Sequence, residues 1–343
     1  MTRPRDRVLV VAADGADPDI AARLIAAGEL PNLARLCREG MWGPLGTTFP
    51  PVSPVAWMTC LTGVGPADHG IRDFITKAQD SYLPTIGLFE VQSVGGIPRY
   101  ASRRTAPTLG EILRTADKTT YMLKVPGTFP PPQVQGGLLG GFGTPDLLGT
   151  FGVSAWYTSD PEQKRTAAPA GKELVQPLVS AGQRSWRGEI AGPAGSRLTF
   201  SVRGTGDGVA LSIGNKAGPP AALLRRGEWS GWVRPSFEVP HVGQVPGLCR
   251  FKLVSLGAGI ELYRTPVQCA PGASLYPLAD PPGFAERLER LVGPYATIGM
   301  PADLDGVRRG VVDLDTFLQD AYANWEQQID MTFALLADPS WDL

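Results

Sequence analysis

Six consecutive apolar residues, Val8-Leu9-Val10-Val11-Ala12-Ala13, run straight into Asp14-Gly15. A β-branched run without polar alternation reads as a strand buried on both faces, the kind that parallel sheets require. Asp17 then caps a helix with Pro18 at its first position and Ile20, Leu24 and Ile25 on one face. A second helix opens at Leu30-Pro31-Asn32-Leu33 and stops at Gly40, a third runs from Pro54 to Gly63, and a fourth spans Thr108 to Thr115. Tyr121-Met122-Leu123-Lys124-Val125 is another apolar strand, closed by Pro126. Strands alternating with helices predict an α/β fold, a mostly parallel sheet with helices on both faces.

Beyond about residue 170 the period changes. Leu198-Thr199-Phe200-Ser201-Val202 and Val209-Ala210-Leu211-Ser212-Ile213 alternate at period two, and Trp229-Ser230-Gly231-Trp232-Val233 and Phe251-Lys252-Leu253-Val254 continue the pattern between glycine-rich turns. An antiparallel β-rich insertion lobe is therefore expected over 171–275, between an α/β core part at 1–170 and a helical return at 276–343. That return contains a long amphipathic stretch through Leu314, Phe317, Leu318, Ala321, Trp325, Ile329, Phe333 and Leu336. A helix this long should feed a further core strand, so the fold is expected to be cut off before its last strands.

Charge is balanced, 32 basic against 33 acidic residues, which argues against a nucleic-acid grip or a polybasic membrane anchor. No apolar run is long enough to span a bilayer. Cys37, Cys60, Cys249 and Cys269 lack CxxC spacing, so reduced thiols in a cytoplasmic protein are expected, with a Cys249–Cys269 disulfide as the minor alternative.

Two residues carry chemistry. Asp14 ends a strand where open α/β sheets place their ligands, although an Asp-Gly turn bonded to its own backbone explains it equally well. Ser53, in Phe49-Pro50-Pro51-Val52-Ser53-Pro54, opens a helix; Ser at the N-cap with Pro at the first position is also what any helix start prefers. A metal held by Asp14 could turn the Ser53 hydroxyl into an alkoxide for attack on a phosphoryl group, whose charge a helix N-terminus favours. Pro54 has no N–H to donate to that group. Lys124, at a strand end, is either a clamp for a substrate anion or a side chain reaching for the surface. There are two histidines, and neither has a partner at ligand spacing: His69 reads as a loop fastener and His241 as solvent-facing. The glycine-rich Gly136–Gly143 lacks the Gly-Lys-Ser/Thr ending of a P-loop and reads as a turn or strand edge. Ser53 and Cys60 also fail the sulfatase pattern, a Cys or Ser with Pro two and Arg four residues on.

Taken together, Val8 to Ala16, Leu30-Pro31-Asn32-Leu33, Phe49 to Trp57 with Leu61-Thr62-Gly63, His69-Gly70-Ile71, Val125 to Pro131 and Gly143-Thr144-Pro145-Asp146 resemble the alkaline phosphatase superfamily, in its type I phosphodiesterase/nucleotide pyrophosphatase branch. The resemblance implies an alkaline-phosphatase-like core and hydrolysis of a small-molecule phosphate ester through a covalent phospho-enzyme. It further implies two divalent ions, zinc or manganese, about 4 Å apart. It makes Asp14 a metal ligand and Ser53 the nucleophile and a metal ligand; Lys124 remains a candidate substrate contact on the residue reading alone. Two departures stand out. Ala56 replaces the Asn found three residues after the nucleophile in nucleotide pyrophosphatases, and Arg72-Asp73-Phe74 replaces an Asn that cradles phosphate. The family's remaining Asp and His ligands lie in a C-terminal part that has no counterpart here. Ligands following residue 343 would complete an enzyme; without them the alternative is a non-catalytic α/β binding or scaffold protein that has lost its metals.

Overall fold

The computed structural model describes residues 7–78, 81–94, 97–160, 175–214, 218–308, 310 and 312–343. The boundary expected near residue 170 lies outside them. Two compact units are present. The first comprises Met1–Leu88, Arg103–Leu109 and Asp342–Leu343, and the second Phe89–Ser102 and Gly110–Trp341.

In the first unit the helices follow their local signals. α1 (Pro18–Ala26) is capped by the Asp17 carboxylate, which accepts from the amides of Asp19 and Ile20 at 2.9 Å each. α2 (Pro31–Glu39) ends at Gly40, and α3 (Ser53–Thr62) ends at Gly63, whose φ of 71° suits a residue without Cβ. α4 (Pro66–His69) is one turn, and a short antiparallel hairpin joins Ile75–Lys77 to Pro84–Ile86. The expected buried strand is not there. Residues 8–13 are extended but belong to no sheet, held at one end by the Val8 amide donating to the Asp342 carbonyl at 3.0 Å, and Val11 is 84% exposed. An apolar run is buried as a strand only where neighbours take up its amides and carbonyls, and among the described residues none flanks this one.

The second unit mixes sheets and helices. Thr120–Leu123 pairs parallel with Gly136–Leu139, which pairs antiparallel with Ala279–Asp280. The glycine-rich segment is thus a strand and the turn after it. A Cβ on Gly137 would lie 2.2 Å from the Phe284 ring, so glycine there lets α6 (Phe284–Val292) sit on the sheet. Before this sheet comes α5 (Leu109–Thr115), and after α6 come α7 (Leu304–Arg308) and α8 (Leu314–Leu336).

The β-rich lobe is mostly antiparallel, as the period-two pattern of its strands predicts. Five strands run in the order Ala222–Arg225, Gly208–Ile213, Arg197–Thr205, Ser185–Ala191, Val179–Gly182. A second sheet orders Phe251–Leu256, Ile260–Arg264, Ala155–Thr158 and Val175–Pro177. Tyr157 meets Phe200 edge-on at 4.8 Å between ring centroids, and Phe251 lies 5.7 Å from Phe200, making the core of the lobe. Trp229–Val233 forms only isolated bridges, Trp229 to Lys252 and Val233 to Cys249. Cys249 and Cys269 are buried free thiols, each pushed up to about 12 by burial.

The protein is therefore a mixed α/β structure, but its sheets correct the parallel expectation. Among the described strands only two pairs are parallel, Thr120–Leu123 with Gly136–Leu139 and Ala155–Thr158 with Val175–Pro177.

Helix α8 is amphipathic, with its apolar stripe turned away from the core. Its stripe through Leu314, Leu318, Trp325, Ile329 and Phe333 faces outward, while Thr316, Asp320 and Asn324 are buried. The cause lies in the lobe. Lys252 Nζ donates to Thr316 Oγ1 at 2.8 Å and to Gln319 Oε1 at 3.1 Å, and the Arg250 guanidinium pairs with Asp320. Arg250 is sandwiched between Trp229 and Trp232, 5.1 and 5.2 Å from the ring centroids. Buried charges demand partners more strongly than leucines demand burial, and they set the rotation of the helix.

Candidate functional site

The extended segment 8–13 delivers Asp14 to the start of α3, where Ser53 Oγ donates to Asp14 Oδ1 at 3.4 Å. Thirty-nine residues apart in sequence, the two groups point at each other on an accessible surface. Val52, not Ser53, is the N-cap residue, and α3 has no side-chain cap. The Ser53 hydroxyl is thus relieved of the structural task that its position suggested. Pro54 has no N–H, and the amides of Val55 and Ala56 both donate to the Val52 carbonyl, at 3.0 and 3.1 Å. The helix start therefore offers its dipole and the hydroxyl rather than a fan of free amides.

Behind Ser53, His69 fastens the floor. It is fully buried, its Nδ1 accepts from the Ile71 amide at 3.1 Å, and its Nε2 faces Thr59 Oγ1 of α3 at 3.0 Å. An accepting Nδ1 fixes the proton on Nε2, so the ring is neutral, and burial holds its pKa below the usual histidine value. The Thr105 amide donates to the His69 carbonyl at 3.1 Å. This histidine locks a loop to α3, as its lack of a ligand partner suggests. His241 is exposed, in a left-handed turn with φ 63°.

Lys124 belongs to the second unit. Its amine donates to the Ile298 carbonyl at 2.9 Å, no carboxylate partners it among the described residues, and its backbone has a φ of 55°, unusual for a residue with Cβ. Enclosure of the amine lowers its pKa to about 7. The unfolded chain, titrating near 10.4, thus holds a proton that the folded chain lacks between pH 7 and about 10.4. Stability from this residue is complete above that window and is lost as pH falls through it towards 7. Urea titrations are expected to show wild-type stability rising from pH 7 to 10 by on the order of 3–5 kcal/mol relative to Lys124→Met. Parallel curves for the two proteins would show that the amine is not enclosed.

One residue whose role the sequence did not single out is Asp146. It is buried and accepts from the amides of Leu148, Thr150 and Val153, at 3.0, 2.8 and 3.0 Å, and from Thr150 Oγ1 at 2.6 Å. Burial raises its pKa against the pull of these bonds. It holds a loop, and the signal for it was an Asp just ahead of Gly149, the mark of an Asx turn.

Among the described residues no group of three or more His, Cys, Asp or Glu side chains could hold a metal. Asp14 and Ser53 supply two oxygen donors, whereas a zinc site takes about four ligands. The described residues therefore do not fit a two-metal centre.

Residues 8–161 match the family model for type I phosphodiesterase / nucleotide pyrophosphatase, a family of the alkaline phosphatase superfamily. The resemblance read from the motifs holds over that stretch, which contains Asp14, Ser53 and Lys124. No curated protein and no solved structure matches the chain.

Proposed function

We propose that the protein hydrolyses a small-molecule phosphate ester with Ser53 as nucleophile and Asp14 as the group that holds it. The observation that carries this reading is the Ser53 Oγ–Asp14 Oδ1 contact within the family-matched segment. By accepting the hydroxyl hydrogen, Asp14 leaves an oxygen lone pair directed away from it, at the positive end of α3. As Oγ bonds to phosphorus the bond to the leaving oxygen breaks. The hydroxyl proton passes to Asp14, and the departing alkoxide takes a proton from water. A second water then attacks phosphorus, releasing phosphate from a monoester or a phosphomonoester from a diester, and the proton held on Asp14 returns to the serine oxygen.

The direct test is capture of the intermediate. The full chain, supplied with zinc or manganese and a chromogenic phosphodiester, is quenched in acid and mapped by mass spectrometry. A phosphoryl group that still carries the remaining ester is expected on Ser53. Turnover with phosphate on another residue, or on none, would overturn the assignment.

A further inference from the structure

Helix α8 is amphipathic the wrong way round for a lone protein. Leu314, Leu318, Tyr322, Trp325, Ile329 and Phe333 are 59, 37, 65, 63, 41 and 67% exposed. Their steps of four, four, three, four and four residues keep them on one side of the helix, a stripe about 100° wide and about 28 Å long. The opposite side, Thr316, Asp320, Asn324, Met331 and Leu335, is the buried one. Soluble surfaces rarely carry a contiguous apolar strip of this size without a partner, and Tyr and Trp at its centre are the residue types that anchor interfaces.

Charge says what kind of partner. α8 contains Asp315, Asp320, Glu326 and Asp330 and no lysine, arginine or histidine. Asp320 is neutralised by Arg250 on the buried side, and Lys252 lies near Asp315. At 100° per residue Asp315, Glu326 and Asp330 fall along one margin of the stripe. Anionic membranes attract helices rich in Lys and Arg and repel one built this way. A second copy fits poorly as well. In the antiparallel pairing that superposes the stripe on itself, Asp315 of one helix stands within about 3 Å, along the axis, of the level of Asp330 of the other, with no base between.

We propose that this stripe docks an amphipathic helix of a separate protein, with apolar anchors at i, i+4, i+7 and i+11 and lysines or arginines on the flank facing Glu326 and Asp330. The inference is independent of the hydrolase chemistry.

The test uses two synthetic helical peptides with identical leucine and isoleucine anchors, one with a lysine flank and one with a glutamate flank, titrated calorimetrically into the full chain. The basic peptide is expected to bind at least about tenfold more tightly. Glu326→Gln/Asp330→Asn should shrink that ratio to below about threefold, and Phe333→Asp should weaken the basic peptide by tenfold or more. Circular dichroism of each variant controls for folding. Equal binding of the two peptides, or no binding, would overturn the proposal. So would a dimer in light scattering that Phe333→Asp disperses, or retention on phosphatidylserine vesicles.

Discussion

Ser53→Ala is expected to lower kcat/KM for phosphodiester hydrolysis by about a thousandfold or more, with zinc or manganese supplied, while leaving the thermal midpoint almost unchanged. The two halves of this expectation have separate grounds. Loss of activity follows from removing the oxygen that the proposed phospho-enzyme bond requires. Retention of the fold follows from what the hydroxyl does not do. It caps no amide of α3, and its contact to Asp14 is long, at 3.4 Å, and solvent-exposed. A change of this sort typically falls within about 0.5 kcal/mol. Ser53→Thr, which keeps a hydroxyl, should retain a measurable share of turnover. Full activity in the alanine variant would exclude Ser53 as nucleophile, and joint loss of activity and fold would make it a structural residue instead.

The largest stability effect is expected at Asp320. Its carboxylate is 6% exposed and the Arg250 side chain 13%, so Asp320→Ala leaves a guanidinium buried without its counter-charge, at a cost of about 3–5 kcal/mol in chemical denaturation. Arg250 Nε already lacks a hydrogen-bond partner among the described residues, which leaves little to compensate. Burial raises the Asp320 pKa in spite of Arg250, a sign that the pair recovers its desolvation only in part. Hence Arg250→Met/Asp320→Leu should recover most of what Asp320→Ala loses, less the stacking of the guanidinium on Trp229 and Trp232, about 0.5–2 kcal/mol for each ring. A double variant as unstable as the single one would show that the pair itself, rather than the orphaned charge, carries the stability. α8 is where such losses should appear, because Lys252 and Arg250 supply the bonds that fix its rotation.

What the sequence made legible was local. Asp17 ahead of Pro18 announces α1, Gly63 closes α3, and period-two alternation in Leu198–Val202 predicts its strand, because each signal acts within a few residues of itself. The meeting of Asp14 and Ser53 was legible through the family motif, since the strand that was to end at Asp14 does not form. The fate of Val8–Ala13 was not, since pairing depends on partners that no local pattern names. The outward face of α8 was hidden for the same reason: the residues that pull Thr316 and Asp320 inward, Lys252 and Arg250, stand more than sixty positions upstream. Ser53 was misplaced by one position at its helix start, where boundaries shift most easily.

The bond from Val8 to Asp342 closes a loop of more than three hundred residues. During synthesis at about 5–20 residues per second, the Val8–Ala13 run therefore waits on the order of tens of seconds for that contact. That bond holds one end of the run without covering it, and an uncharged, β-prone segment left exposed is a template for aggregation that natural chains interrupt with flanking charges. Arg7 stands on one side and Asp14 on the other. Asp14 thus stands where a gatekeeper charge would, and its replacement by a neutral residue is expected to raise self-association of the newly made protein.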